Sequence, residues 1–117
     1  MRKIIEGAET SLRMLTESLS LTGYLIAIAS APASKNLEGL TREGFKSVVI
    51  LADGLTGDQA FECKSWLWNS IRESDEGGSF FKKADNRIKE RQPKRDFGGV
   101  APSELLQPQW SVIVPWY

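Results

Sequence analysis

The sequence predicts an α+β fold in which a small mixed sheet of about three strands is covered by helices. Several segments repeat apolar residues at helical spacing, whereas three short segments are continuously apolar or alternate apolar and polar residues. The length of 117 residues is that of one ordinary domain with its own core. We therefore expect a single globular domain over residues 1–117.

The first two predicted helices lie on either side of the first predicted strand. The first has apolar residues at alternating steps of three and four, namely Ile5, Ala8, Leu12, Leu15 and Leu19. This stripe predicts an amphipathic helix over 2–20. A short helix is expected over 34–43, with Ser34 as its N-cap and Gly44 after its last turn.

Two further helices are predicted in the second half of the chain. Thr56 and Gln59 have the spacing of a capping box, so a helix is expected over 57–72. Ser79 is a candidate N-cap for a fourth helix over 80–91.

The three strands are predicted at 24–29, 45–52 and 110–116. The second is β-branched and apolar, which is typical of a central strand, and Asp53-Gly54 is expected to turn the chain after it. The third has Trp110, Val112, Val114 and Trp116 at alternate positions, the two-residue period of a strand. It contains Pro115, which lacks a backbone donor, so the strand is expected at an edge or ends there.

Composition excludes several classes of function. Fifteen basic residues balance fifteen acidic residues, so no global charge indicates a polyanionic partner. The absence of histidine excludes Ser-His-Asp and Cys-His catalysis and histidine metal sites. Cys63 is the single cysteine, which fits a small core residue in a reducing, cytoplasmic protein, and no apolar run is long enough to span a membrane.

Three carboxylates form the first candidate site: Asp53, Asp58 and Glu62. Asp58 and Glu62 are four residues apart on one predicted helical face, and Asp53 lies just before that helix. Together they could bind Mg²⁺, which prefers oxygen ligands. The structural alternative is favoured, because an acidic first turn complements the helix dipole and Asp-Gly is common in turns.

The second candidate site is a basic segment at 82–95, with seven basic and two acidic residues. Its candidate nucleic-acid contacts are Lys82, Lys83, Arg87, Lys89 and Arg91. Neighbouring aromatic residues suit single-stranded nucleic acid. The favoured alternative is a solvated face of a surface helix.

Four tryptophans form the third feature, and Trp66 and Trp68 are two apart, so they cannot share a helical face. Core and interface roles are equally expected for the tryptophans. On an edge strand, Trp110 and Trp116, with Tyr117, would form the interface of a homodimer.

The stretch VILADGLTGDQAFECKSWL, within 45–71, resembles the second half of GIY-YIG nuclease domains. In that family a strand ends in a short Gly-Leu-Ser/Thr turn, and a helix rich in Ala and Glu follows. The resemblance implies that Glu62 matches the metal-binding glutamate. The paired-tyrosine hairpin of the family is absent, however, and Lys64 stands where a second Glu is expected. The resemblance therefore implies a degenerate domain without nuclease chemistry.

We expect a small, soluble, non-catalytic binding or interaction domain that self-associates. The alternative is a nucleic-acid-binding or degenerate GIY-YIG-like domain that uses residues 82–95. No cofactor is predicted, apart from the Mg²⁺ that the three carboxylates could hold.

Overall fold

The three strands form one antiparallel sheet in the order β1–β3–β2 in the computed structural model, which describes residues 1–30, 37–95, 97 and 99–117. The strands are β1 (Ala27–Ser30), β2 (Ser47–Leu55) and β3 (Trp110–Trp116). The α+β fold is confirmed, but β3 pairs antiparallel with both neighbours, so the prediction of a mixed sheet was wrong. The predicted strand order was wrong as well: β3 is central, and β2 lies at an edge.

Burial explains why β3 takes the centre. Its residues from Trp110 to Pro115 are all buried, including Ser111 and Ile113 on the face opposite Val112. A strand buried on both faces is typical of the middle of a sheet, whereas β2 leaves Ile50 exposed. The alternation of Trp110, Val112 and Val114 predicted one apolar face, but the opposite face of β3 is buried as well.

Pro115 is compatible with the central strand because its side without an N–H group faces β1 and not β2. Leu25 donates a 2.9 Å hydrogen bond to the Pro115 carbonyl, and the pair Gly23–Tyr117 exchanges two bonds of 3.0 Å. In an antiparallel ladder the N–H and C=O of one residue face the same neighbour. The absent Pro115 N–H therefore faces Leu25, where the regular part of β1 has not yet begun.

The pairing of β1 continues beyond its assigned residues. Tyr24 forms a bridge with Trp116 in the register of β1 and β3, so the predicted strand at 24–29 does pair with β3 along its length. Gly23 belongs to this pairing and does not cap α1. A Cβ atom at Gly23 would lie 2.6 Å from the Tyr117 ring, so a larger residue there would force that ring to move.

The predicted turn at Asp53-Gly54 is part of β2. The register with β3 shifts between Ile50 and Ala52 and again between Ala52 and Leu55. Gly54 has a φ of 63°, which suits a bulge and is strained for other residues. β2 therefore runs three residues further than the predicted end at residue 52.

Six helices lie in the part of the chain that the structure describes: α1 (Arg2–Thr16), α2 (Leu37–Arg42), α3 (Gly57–Glu73), α4 (Ser79–Lys82), α5 (Asn86–Glu90) and α6 (Pro102–Leu105). α1 ends four residues before the predicted boundary at 20, and Leu19 is 97% exposed. The buried stripe of α1 ends at Thr16, whose hydroxyl donates to the Arg13 carbonyl.

The predicted start of α3 and the predicted end of α2 are confirmed. The capping box is present, since Thr56 Oγ1 accepts from Gln59 N at 3.2 Å and Gln59 Oε1 accepts from Thr56 N at 3.0 Å. Gly44, with a φ of 96°, ends α2 in a Schellman motif in which Phe45 N donates to the Leu40 carbonyl. The predicted cap Ser34 lies outside the described residues.

The single helix predicted over 80–91 is two helices, α4 and α5. The chain leaves α4 so that Lys83 and Asp85 can bond the backbone of Tyr24. Asp85 then caps α5 by accepting from Arg87 N at 2.8 Å. Ser79 is the first residue of α4 and Gly78 its N-cap, and α6 lies where no helix was predicted.

The core lies between the sheet and the two long helices. α1 and α3 contact each other and the sheet. The largest fully buried side chains include Tyr24, Leu12, Leu67, Ile71 and Val114. No helix within the described ranges is both long and apolar enough to cross a membrane.

Candidate binding cleft

A cleft of about 360 Å³ lies along β1, between α3 and the segment that leads to α6. Its walls are Ala27–Ser30 of β1 and the side chains Lys64, Lys94, Phe97, Val100 and Trp110. Two amines and two aromatic rings therefore meet beside an edge strand of the sheet.

Trp110 forms the fixed wall of the cleft. It pairs with Ser30 across the sheet and is 6% exposed. Its Nε1 donates to the Glu104 carbonyl of α6 at 3.0 Å. Phe97 meets the Trp110 ring edge-on, with centroids 5.1 Å apart, so α6 and residue 97 together hold the indole in place.

Lys64 reaches the cleft from α3. Its Nζ lies 5.0 Å from the centroid of the Trp68 ring, one helical turn further on. Burial lowers the pKa of Lys64, because an ammonium is poorly solvated there. Within the described ranges, no hydrogen bond or ion pair to a protein acceptor offsets that loss of solvation.

Lys94 is exposed and lies on the segment that closes the cleft. This segment is tied to α3 by an ion pair between the neighbouring Arg95 and Asp58. The Arg95 guanidinium also lies 5.6 Å from the centroid of the Phe97 ring. The described lining residues include two amines, those of Lys64 and Lys94, and no carboxylate.

The three predicted metal ligands each have different neighbours. Asp53 is exposed on β2, Asp58 pairs with Arg95, and Glu62 is exposed beside Arg2 and Trp66. In the described part of the chain, no group of three or more acidic or cysteine side chains is placed to hold a metal ion. The structure thus supplies no Mg²⁺ cage from these carboxylates.

Three of the five side chains in the predicted basic site donate hydrogen bonds to other groups of the protein. Lys83 Nζ donates to the carbonyls of Thr16 and Ser18, at 2.8 and 2.9 Å, beyond the end of α1. Lys89 Nζ donates to the Lys82 carbonyl at 3.1 Å.

The Arg87 guanidinium donates to both carboxylate oxygens of Asp85. Lys82 and Arg91 are exposed. The five residues therefore do not present one continuous surface of uncommitted cations.

The predicted interface residues also differ in their surroundings. Trp110 is internal, Trp116 is partly buried, and Tyr117 is 40% exposed with its ring 5.5 Å from that of Phe45. Because β1 and β2 occupy both sides of β3, the proposed pairing of β3 with a second chain is wrong. Trp66 is 51% exposed and Trp68 is buried, as their two-residue spacing predicted.

Sequence reasoning did not identify the cleft. Lys64 entered only as a departure from the GIY-YIG pattern. Lys94 entered only as a member of the basic segment at 82–95, and Phe97 only as one of the aromatic residues beside it. One signal was present: Lys64 and Trp68 are four residues apart, which places an amine over an aromatic ring on the same helical face.

Comparisons with known proteins give no relative. A scan against protein-family models and searches of curated proteins and solved structures found no match to this chain. The GIY-YIG resemblance therefore stays a prediction.

Proposed function

We propose that this chain is a small non-catalytic binding domain whose ligand occupies the cleft beside β1. The observation that carries the proposal is the meeting of Lys64, Lys94 and two aromatic rings around a volume of about 360 Å³. Ligand sites are commonly concave and apolar, with a few convergent polar groups. A cytoplasmic location, predicted from the single cysteine, belongs to the same proposal.

The lining chemistry favours an anionic ligand with a flat apolar part. The ring edges of Phe97 and Trp110 can contact a planar group, and Lys94 can approach an anion without losing all of its water. Lys64 is the deeper amine, and a bound anion would offset the poor solvation of its ammonium.

A titration with 2-naphthoate tests this proposal, with neutral 2-naphthamide as the matched ligand. We expect naphthoate to shift the amide NMR signals of Ile28, Ser30 and Val100, and to bind more tightly than the amide. Lys94→Gln should weaken naphthoate binding at least about tenfold and leave naphthamide binding unchanged, because a charge-assisted contact contributes roughly 1.5–3 kcal/mol.

Lys46→Gln is the matched control, since Lys46 is exposed and lies outside the cleft lining. It should leave the affinity for naphthoate unchanged. Signal shifts away from the cleft, or equal affinity for the acid and the amide, would contradict the proposed site.

Self-association is the second candidate, and the exposed surface between α1 and β2 favours it. An open groove of about 470 Å³ lies there, with Met14 and Val49 in its lining. Met14 is 70% exposed and Ile50, on the neighbouring edge strand, 52%. A second copy fits this surface best, because antiparallel pairing of two identical edge strands gives a closed two-fold dimer.

Light scattering after gel filtration tests the dimer. We expect the wild type at micromolar concentration to have twice the monomer mass of 13.0 kDa, and Ile50→Lys to have 13.0 kDa, since an edge lysine opposes pairing. A wild-type mass of 13.0 kDa would exclude the dimer. Nucleic-acid binding stays a prediction that no described contact favours.

A further inference from the structure

The Lys64 amine differs in its surroundings from the amines of Lys83, Lys89 and Lys94. Lys83 and Lys89 donate to backbone carbonyls, and Lys94 is exposed. Lys64 instead lies in the cleft against the ring of Trp68, and within the described residues it has no oxygen acceptor. Partial burial disfavours the ammonium form of such an amine, and the deprotonated form has a nitrogen lone pair that can form a bond.

Among the residues that the structure describes, no carboxylate lines the cleft beside this amine. From the closing segment come Lys94 and Arg95, and the latter is paired with Asp58 of α3. The cleft residues of β1, Ala27–Ser30, carry no ionisable side chain. Burial lowers the pKa of Lys64, in agreement with this geometry.

We infer that Lys64 captures a carbonyl compound as an imine in the cleft, while Lys94 holds the anionic group of that compound. The anionic half of this inference rests on the proposed function. The Nζ lone pair attacks the carbonyl carbon, and the C=O π electrons move to oxygen, giving a carbinolamine after proton transfer from nitrogen to oxygen. Loss of the hydroxyl group and the remaining amine proton as water leaves the C=N bond, so the step is redox-neutral.

Reductive trapping tests the inference, with pyridoxal 5′-phosphate as an aldehyde that carries an anion and a flat ring. The full chain is mixed at pH 7 with less than one equivalent of this probe, reduced with borohydride and mapped by peptide mass spectrometry. We expect Lys64 to carry at least ten times more adduct than any other lysine, because exposed lysines, with an ordinary pKa of about 10.4, are protonated at this pH. Lys64→Arg should abolish the main adduct, and Lys46→Arg should not change it.

A neutral probe, benzaldehyde, separates this inference from the proposed function. If both aldehydes mark Lys64 selectively but Lys94→Gln does not reduce the yield with pyridoxal 5′-phosphate, carbonyl capture stands and the anion site is refuted. If naphthoate binds the cleft while both aldehydes mark Lys64 no more than Lys46, capture by Lys64 is overturned and the proposed function stands. Folding of each variant is checked by circular dichroism.

Discussion

Replacing Thr56 by alanine removes the side-chain half of the capping box at the start of α3. Thr56 Oγ1 accepts the Gln59 N–H at 3.2 Å, and this bond has no substitute in the variant except water. Loss of such a cap costs about 1 kcal/mol. Because α3 contacts all three strands and four other helices, its first turn is coupled to global unfolding. Urea unfolding should therefore show a free energy lower by about 1 kcal/mol, and the midpoint temperature should fall by about 4 °C.

Two variants make this prediction specific to the cap. Thr56→Ser keeps the hydroxyl and should retain most of the stability. Thr10→Ala removes an exposed threonine in the middle of α1, whose hydroxyl donates to the Glu6 carbonyl, and should change stability little, since alanine is a good helix former. If Thr56→Ala and Thr10→Ala had the same midpoint as the wild type, the capping argument would be refuted.

Three further predictions concern buried or paired groups. Tyr24→Phe removes the hydroxyl that donates to the Phe80 carbonyl, and urea unfolding should show a loss of about 1–2 kcal/mol; no loss would mean that this buried bond contributes nothing. Burial, and to a lesser extent the charge of Glu62, raises the pKa of Cys63 to about 11, so iodoacetamide should label native Cys63 at least about 100-fold more slowly than the unfolded thiol; similar rates would contradict its burial. Burial alone would raise the pKa of Asp85, but hydrogen bonds from Arg87 outweigh this effect and hold the pKa below its ordinary range. The carboxylate therefore stabilises the fold at pH values above its unfolded pKa of about 3.9. This stabilisation is lost as the pH falls through the lower pKa of the folded state. Asp85→Asn should therefore be less stable than the wild type at pH 6, and the two urea curves should converge in acid; a constant difference would show that the charge is not involved.

The strands could be predicted from the sequence, but their order could not. Periodicity locates β3 because Trp110, Val112 and Val114 alternate, and this information is local. Whether Pro115 tolerates a central position depends on which neighbour its missing donor faces, and that depends on pairing with Leu25, ninety residues earlier in the sequence. The second buried face of β3 could not be predicted from residue type, because it includes Ser111, a polar residue that is only 6% exposed.

The split between α4 and α5 shows a different limit. Phe80, Ala84 and Ile88 have the spacing of one continuous helix. The break arises because Lys83 and Asp85 bond the backbone of Tyr24, which is a tertiary contact that overrides local periodicity. A local signal did exist, since aspartate is a preferred N-cap residue and Asp85 caps α5.

The register of the sheet also determines which backbone groups are available beside the cleft. Gly23 and Leu25 bond β3, so with an unbroken register Ala27 and Ala29 do so too, and the polar groups of Ile28 point to the outer edge of β1. Ile28 also lines the cleft, together with the two amines and Trp110. A ligand there can therefore meet an N–H and a C=O of fixed direction in addition to the charged amines. Charge would select an anion, the rings would select a flat group, and the edge of β1 would orient it, which is why the same ligand should not bind the open groove between α1 and β2.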